Sequence, residues 1–525
     1  MDFLKWHSFC SRNSARNVVD GIGSGAVDGG AIFVFGNVNW RHALSHHQSE
    51  IFYGIDLCAV DDFWGVSVLE IIGLGGKNMK NYEVAYIPVG APTFHLESAK
   101  AEFDASVALL ESIYDHVVVP KDMLLTLPDL DAFLQDIQPD LIVLQNITFA
   151  NAAFASEILH RFRDVPLVLW TLREPVIDGG RLRLNSLTGA YSAANTIKKF
   201  RREPLHYVFG SPKEAEVQAE LTAAVKAAQV KFLMKELRLA AVGHTPQGFG
   251  FGRAMDGDLL KNFGVRLISV ESRELMQMAQ SYTDAECEPY LEDAKKRMVG
   301  WDHTPENHVK NFAKLYRAYD TFVKEQKIGA LASRCWPDYF TDFGTPVCAV
   351  LAMLNDLQVP ASCEADTYGA LSMYVGMKLS DQPVFFGDPV SMDEKESTVT
   401  FWHCGTAACS LAREDTGAEV GEHCNRHIGP TCEFGCKPSK EATIFRIGLD
   451  EEGKARFLVA TGEILDKPKQ FLGTSLVVKT GDAKKLVYET VEAGWEPHFV
   501  VIYKDVSREL RILGKMLNIP VIEKS

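Results

Sequence analysis

Five polar residues in the last third of the chain stand directly beside apolar runs. They are Glu364, Asp366, Asp388, His403 and His498. A carboxylate at the edge of a buried sheet is costly unless it is paired or bound to a metal, and α/β proteins gather ligands at the carboxyl ends of their strands. Each residue alone is more often a turn residue or a helix cap. Two carboxylates combined with imidazole suit a divalent cation with open positions, such as Mn²⁺, so the set predicts a metal site.

A second group of soft ligands is dense but irregular in spacing. It consists of His423, Cys424, His427, Cys432 and Cys436. Structural zinc sites favour paired ligands such as C-x₂-C, and that spacing does not occur in the sequence. The pattern therefore favours buried or incidental thiols over zinc.

Three further patterns carry less weight. The segment 21–26 matches a dinucleotide-binding fingerprint, but it lacks the strand and helix that the fingerprint needs on either side. Two imidazoles at i, i+4, His42 and His46, have no carboxylate partner, which favours a solvated helix. Cys335 and Cys348 are candidate nucleophiles, but nothing in the sequence fixes a neighbouring base, so inert packing is the better interpretation.

The elements that must position these residues follow two patterns in succession. From residue 84 to 363, short apolar strands alternate with helices, which predicts parallel sheets with right-handed crossovers. From about residue 383, alternating segments predict antiparallel β-structure. The expected fold class is therefore α/β, with two parallel-sheet α/β domains followed by a β-rich C-terminal domain. We divide the chain into an N-terminal extension (1–80), two α/β domains (81–208 and 209–358) and a C-terminal domain that carries the metal site (359–525).

Composition narrows the classes of partner. The 525 residues include 54 basic and 69 acidic side chains, a net charge of −15, which disfavours nucleic acid and anionic membranes as partners. Eleven cysteines without the spacing of a small secreted scaffold favour reduced thiols. The sequence shows no signal-peptide pattern and no apolar stretch of about 18 residues. We expect a cytoplasmic protein.

The sequence resembles the L-fucose/L-arabinose isomerase family in motifs that run in order through residues 83–522. The central motif is Cys363-Glu364-Ala365-Asp366 with its continuation to residue 371. The others lie at 82–90, 145–150, 173–175, 182–190, 243–249, 334–337, 402–405 and 495–498. Residues 1–80 have no recognised counterpart in the family.

The resemblance implies an aldose–ketose isomerase that uses Mn²⁺, or another divalent cation, and a cis-enediol. Its substrate would be a small sugar such as L-fucose, L-arabinose or a relative. By resemblance, Glu364 and Asp388 are catalytic and bind the metal, His498 completes the metal shell, and His403 stands where a second histidine approaches it. The family also implies a homo-oligomer.

Two residues and two functions are left with alternatives. Asp366 is expected to support the site or cap a helix, and Phe149 to offer a platform for a sugar face or to be a core aromatic. The protein could also be a family relative that acts on a modified sugar or uses other metal-assisted chemistry. A sugar-binding or sensor module without catalysis is the alternative from another class, and it would not require Glu364, Asp388 and His498 to converge.

Overall fold

The computed structural model describes residues 81–524. The glycine motif at 21–26, the histidines His42, His46 and His47, and the whole predicted N-terminal extension lie outside the described residues.

The first sheet is parallel and five-stranded, in the order β2-β1-β3-β4-β5. Its strands are β1 (Val84–Val89), β2 (Val117–Val118), β3 (Leu141–Asn146), β4 (Leu167–Thr171) and β5 (His206–Phe209). The helices of this part are α1 (Leu96–Ile113), α2 (Leu127–Gln135), α3 (Ala152–Arg161) and α4 (Ser186–Phe200). Both faces are buried: along β1, Val84 and Tyr86 join one core and Ala85 and Ile87 another, as the alternation of side chains along a strand requires.

The second sheet is parallel and four-stranded, in the order β10-β9-β6-β7. Strands in this part of the chain are β6 (Arg238–Val242), β7 (Arg266–Val270), β8 (Met298–Val299), β9 (Ala330–Ser333) and β10 (Ala361–Ser362), of which β8 joins the third sheet. The helices are α5 (Ala215–Glu236), α6 (Asp256–Phe263), α7 (Ser272–Ser281), α8 (Asp284–Arg297), α9 (Glu306–Gln326) and α10 (Cys348–Asp356). The sequence also predicts two long charged helices, near 284–298 and 306–326, and the structure contains them as α8 and α9.

The third sheet contains a closed antiparallel barrel. Its strands are β11 (Phe385–Asp393), β12 (Thr398–His403), β13 (Ala418–Gly421), β14 (Thr431–Gly435), β15 (Ser439–Leu449), β16 (Ala455–Ile464), β17 (Thr474–Thr480), β18 (Phe499–Ile502) and β19 (Val521–Lys524). Six of them run β16-β15-β18-β11-β12-β17, and pairing of β16 with β17 closes the ring. Closure leaves these strands no free edge. The predicted fold class, two parallel α/β sheets followed by a β-rich part, is confirmed.

A buried helix joins the second sheet to the barrel. Helix α11 (Thr367–Ser380) packs on β9 and β10 on one side and on β15 and β18 on the other. It is buried almost all round, as expected of a helix between two layers. The remaining helices are α12 (Ala483–Glu492) and α13 (Ser507–Leu517). The residues just before α11 therefore lie where the parallel sheet and the barrel meet.

None of the helices between residues 81 and 524 combines the length and apolar character needed to cross a membrane. The sheets themselves span residues 84–209, 238–362 and 298–524. The domain boundaries at 208 and 358 stay a prediction.

Candidate functional site

Glu364 lies in a strained turn between β10 and α11. Glu364 and Ala365 both have positive φ, 58° and 54°, a conformation that costs a non-glycine residue about 1 to 3 kcal/mol. The turn is held by the Ala365 N–H, which donates to the carbonyl of Ser333 (2.9 Å), and by the Ser362 hydroxyl, which donates to the carbonyl of Asp366 (2.7 Å). Strain of this kind persists only where the surroundings enforce it, and it is common at functional sites.

Three more of the predicted residues come from adjacent barrel strands. Asp388 on β11 pairs with Trp402, the residue before His403 on β12. On the other side of β11, Gly387 pairs with Phe499, the first residue of β18, which directly follows His498. Antiparallel register therefore places Asp388, His403 and His498 side by side, within one residue of each other along their strands.

Three of the side chains converge, and the fourth, Asp388, lies beside His498. The Nε2 atom of His498 lies 3.1 Å from Glu364 Oε2 and 3.5 Å from Asp388 Oδ1. Donor atoms of Glu364, His403 and His498 all lie within 4.8 Å of one another. Because bonds from a small cation to oxygen or nitrogen are about 2.1 Å long, one ion spans donors about 3 to 4 Å apart. The 3.1 Å between Glu364 Oε2 and His498 Nε2 is of that size, and carboxylate and imidazole are ligands that Mn²⁺ accepts. Glu364, His403 and His498 therefore fit such an ion, and Asp388 lies beside them, 3.5 Å from His498.

A buried chain of polar groups orients His498. Its Nδ1 donates to Asp366 Oδ2 (2.9 Å). The guanidinium of Arg446 donates two hydrogen bonds to the same carboxylate, from Nη1 to Oδ2 (2.6 Å) and from Nη2 to Oδ1 (3.1 Å). Asp366 Oδ1 also accepts from the Gly369 N–H (2.8 Å), which caps α11. With Nδ1 engaged in this way, Nε2 is the nitrogen that faces the site, the arrangement typical of metal-binding histidines.

The charges of the site shift its pKa values in opposite directions. Burial works against the imidazolium of His498, yet its hydrogen bonds to Asp366 and Glu364 raise the pKa to about 10. Burial works against the carboxylate of Glu364, but its hydrogen bond to His498 and the charge of His403 leave the pKa lowered. Burial also opposes the charge on Asp366, and the nearby Arg446 overcomes it and keeps the pKa well below its usual range. In the absence of a cation, the proton of the cluster therefore sits on His498.

Aromatic rings enclose the polar cluster. The ring of Phe386 lies 4.8 Å from that of His498 and 5.5 Å from that of His403, and the ring of Phe251 lies 5.5 Å from His498. The indole N–H of Trp336 donates to Glu364 Oε1 (2.9 Å). These apolar walls limit water around Glu364 and the two imidazoles and strengthen the electrostatic interactions among them.

The structure brings together all four residues that the sequence singled out as ligands, but only partly for the reason given. Glu364 alone follows a strand of a parallel sheet, whereas the other three belong to the antiparallel barrel. The rule about carboxyl ends of parallel strands was therefore wrong for them. Asp366 both caps a helix and supports His498, which covers both expectations for it. Their roles as ligands and catalysts stay a prediction.

Two contributors were not predicted. Trp336 lies in the motif at 334–337, which by itself predicts no role for the indole. Its N–H reaches Glu364 only because the fold brings residues 28 positions apart into contact. Arg446 is fully buried within an apolar strand. A charged residue in such a run requires a buried partner, and that signal could have been used.

The other sequence candidates lie apart from this cluster. Phe149 is half-buried after β3, near Phe94, with a ring separation of 6.3 Å. Its role toward a sugar stays a prediction. Of the soft-ligand group, His423 approaches Cys348 and Cys404, and Cys432 approaches Cys409. No group of three converging ligands within residues 81–524 contains two members of the set. The interpretation as incidental thiols stays a prediction. The thiols of Cys335 and Cys348 are buried.

Comparison with known proteins gives a consistent set of relatives. A sulfoquinovose isomerase from Clostridium sp. (strain MSTE9) is 58% identical over 442 residues, 84% of this chain and 99% of the relative. Sulfoquinovose isomerases from Alkalicoccus urumqiensis and Priestia aryabhattai are both 36% identical, over 444 and 446 residues, with the same coverage. No protein-family model matches the chain. A metal-free variant of D-threo-3-hydroxyaspartate dehydratase aligns with 81% of this chain and 85% of its own at a TM-score of 0.12 and 10% identity, which is too weak to carry an argument.

These relatives confirm one expectation and refine another. An isomerase of the aldose–ketose kind, implied by the family resemblance, is confirmed. The relatives are named for a modified sugar rather than for L-fucose or L-arabinose. The chain therefore belongs to the family of the sulfoquinovose isomerases and is a sugar isomerase.

Proposed function

We propose that this protein interconverts sulfoquinovose and the corresponding ketose, with Mn²⁺ or a similar divalent cation at the site formed by Glu364, Asp388, His403 and His498. The convergence of Glu364, His403 and His498, with Asp388 at 3.5 Å from His498 Nε2, carries the proposal. The 58% identity to a sulfoquinovose isomerase supports the choice of sugar. L-fucose and L-arabinose become comparison substrates. Assembly into a homo-oligomer stays a prediction.

The reaction moves one proton between neighbouring carbons. A carboxylate removes the proton from C2 of the open-chain aldose, a cis-enediol forms, and the proton returns to C1 to give the ketose. Glu364 and Asp388 flank His498 Nε2 at 3.1 and 3.5 Å, so one can act at carbon while the other moves the hydroxyl proton. The bound cation would hold the two sugar oxygens and stabilise the developing negative charge as a Lewis acid.

The supporting residues hold Glu364 and His498 in position for the reaction. Trp336 fixes one oxygen of Glu364 and leaves Oε2 on the side of His498. Asp366 and Arg446 fix the tautomer of His498. The lowered pKa of Glu364 keeps it ionised at neutral pH. These contacts favour a preorganised site that needs little rearrangement during the reaction.

The test is ketose formation from a panel of sugars, followed by NMR, with Mn²⁺ and with a chelator. We expect turnover of sulfoquinovose well above that of glucose, L-fucose and L-arabinose, and its loss with the chelator. Turnover in deuterated water should place deuterium on C1 of the ketose or C2 of the aldose. Ketose formation that is insensitive to the chelator would rule out the metal-dependent mechanism, and preference for an unmodified sugar would rule out the substrate.

A matched pair of variants separates chemistry from folding. Glu364→Gln should lower turnover by about 10²- to 10⁴-fold, whereas Glu220→Gln should leave it unchanged. Glu220 is a suitable control because it also faces a histidine, with Oε2 at 3.3 Å from His206 Nε2, at a place remote in sequence from every proposed ligand.

A further inference from the structure

One guanidinium beside the site has no acidic partner. Arg426 lies in the segment between β13 and β14, half-buried, with Cζ 4.9 Å from the ring centre of Trp336 and 5.1 Å from that of Phe340. Within residues 81–524, no carboxylate forms an ion pair with it. By contrast, Arg173 and Arg317 also stack on aromatic rings, and each pairs with a glutamate. The N–H groups of Arg426 are therefore available to a ligand.

Arg426 is held in place by its own segment. The Arg426 N–H donates to the carbonyl of His423 (3.0 Å), and the His423 N–H donates to the carbonyl of Ile428 (3.0 Å), so the segment closes on itself. The buried imidazole of His423 packs edge-on against Phe340 at 5.1 Å. Stacking on two rings and a closed loop fix the guanidinium before any ligand arrives, which lowers the entropy cost of binding.

Trp336 connects this guanidinium to the proposed reacting groups. Its ring stacks under Arg426, and its N–H donates to Glu364 Oε1 at 2.9 Å. One indole ring thus separates the cation from the carboxylate that would act at C1 or C2. In an extended sugar, C6 is four or five carbon–carbon bonds of about 1.5 Å from C2 or C1. That length is of the same order as the path across the indole, which consists of 4.9 Å from Arg426 Cζ to the ring centre and a hydrogen bond of 2.9 Å to Glu364. A substituent on C6 can therefore reach Arg426 while C1 and C2 lie at Glu364.

A second opening near the site is unsuited to an anion. A cavity of about 520 Å³ lies beside Asp388, and its walls are mainly apolar. They include the carboxylates of Asp388 and Glu496 and no Lys or Arg. A sulfonate, which is ionised at every physiological pH, would be repelled there.

We propose that Arg426 binds the anionic group at C6 of the substrate, a sulfonate, and thereby selects the modified sugar over its neutral counterparts. This inference rests on the proposed function for the identity of the sugar. The guanidinium is planar and can donate two parallel hydrogen bonds to two sulfonate oxygens. The contact is made equally before and after proton transfer, so it contributes binding and selectivity rather than chemistry.

The test compares charged and neutral sugars in the Mn²⁺-loaded protein. We expect Arg426→Gln to lower kcat/KM for sulfoquinovose about 100-fold, because two charge-assisted hydrogen bonds are lost, and to change that for glucose less than threefold. Arg426→Lys should fall between, since it keeps the charge but not the paired geometry. Arg317→Gln, which also removes one stacked arginine, should match the wild type on both sugars. A loss of equal size on both sugars would overturn the proposal.

Binding keeps this proposal separate from the proposed function. Methyl α-sulfoquinovoside cannot open and so cannot isomerise, and its affinity is measured by calorimetry beside that of methyl α-glucoside. Sulfonate-dependent binding that disappears in Arg426→Gln supports the anion site even if the wild type fails to turn over sulfoquinovose. Equal affinity of wild type and Arg426→Gln would overturn it. The exposed Arg253, which donates to Thr245 Oγ1, is the alternative ligand for the sulfonate. If sulfonate-dependent binding disappears in Arg253→Gln and not in Arg426→Gln, the sulfonate contact belongs to Arg253. Equal binding of glucose 6-phosphate would overturn the assignment to sulfonate.

Discussion

The buried pair of Asp366 and Arg446 links the stability of the protein to the orientation of His498. Both side chains are at most 1% exposed. Replacing Asp366 by Asn removes the negative charge of the pair and leaves the positive charge of Arg446 buried without a counter-charge. It also replaces one of the two oxygens with a donor.

The magnitude follows from the four bonds that the carboxylate accepts. Oδ1 receives the Gly369 N–H and Arg446 Nη2, and Oδ2 receives Arg446 Nη1 and His498 Nδ1. Whichever oxygen becomes NH₂, two of these donors then face a donor. Breaking one side of a buried ion pair costs about 3 to 5 kcal/mol, so we expect Asp366→Asn to lower the free energy of unfolding by that amount.

The same substitution should change metal binding. If the Asn oxygen keeps the helix cap, its NH₂ faces His498 Nδ1 and favours the tautomer with the proton on Nε2, the nitrogen that the ion needs. Loss of a partner of this kind weakens metal affinity by about 10- to 100-fold. Urea unfolding of the metal-free protein measures the first effect, and titration with Mn²⁺ measures the second.

Two controls decide between positioning and plain destabilisation. The substitution Asp356→Asn removes a half-buried ion pair with Arg297 and a hydrogen bond from the Ser410 N–H, both away from the site. Stability should therefore fall while Mn²⁺ affinity is unchanged. The double variant Asp366→Asn with Arg446→Met removes both buried charges and should recover most of the stability but not the affinity. Wild-type Mn²⁺ affinity in Asp366→Asn, or a loss of stability below about 1 kcal/mol, would refute the reasoning.

Three further predictions concern the centre of the site. Glu364→Gln should lower kcat by about 10²- to 10⁴-fold in a protein that remains folded at the assay temperature, and retained turnover would contradict its role. Trp336→Phe removes the hydrogen bond to Glu364 and should lower kcat/KM about 10- to 100-fold, since such bonds contribute about 1.5 to 3 kcal/mol. An unchanged kcat/KM would show that the indole N–H does not position the carboxylate. The pKa of His498 rises from about 6.5 when unfolded to about 10 when folded and metal-free, so its contribution is complete below pH 6.5 and lost as the pH rises through 10. The free energy of unfolding of the metal-free protein, measured with urea, should therefore be lower at pH 9.5 than at pH 6.5, by at most about 5 kcal/mol. His498→Gln should lack this dependence.

Residue types and their placement beside apolar runs predicted the members of the site but not its geometry. Glu364, Asp388, His403 and His498 were visible because carboxylates and imidazoles next to buried segments are costly without a partner. Their convergence depends on pairings between strands as far apart as β11 and β18, and one sequence carries no local signal for such register. The closed barrel was equally beyond reach, since antiparallel alternation looks the same in an open sheet.

The location of the site explains why two unfavourable features are kept. Glu364 stands in a left-handed turn, and Arg446 is a charge buried inside an apolar strand; either would lower stability in an ordinary core. Both lie where helix α11 joins the parallel sheet to the barrel, and there each serves the same imidazole. The turn brings Glu364 Oε2 to one nitrogen of His498, and Arg446 fixes Asp366 on the other. At Glu364 and Arg446 the local preferences of the residue type therefore conflict with the conformation or burial that the fold imposes. Such conflicts are expected at functional sites, and both residues contribute to the site rather than to the packing of the core.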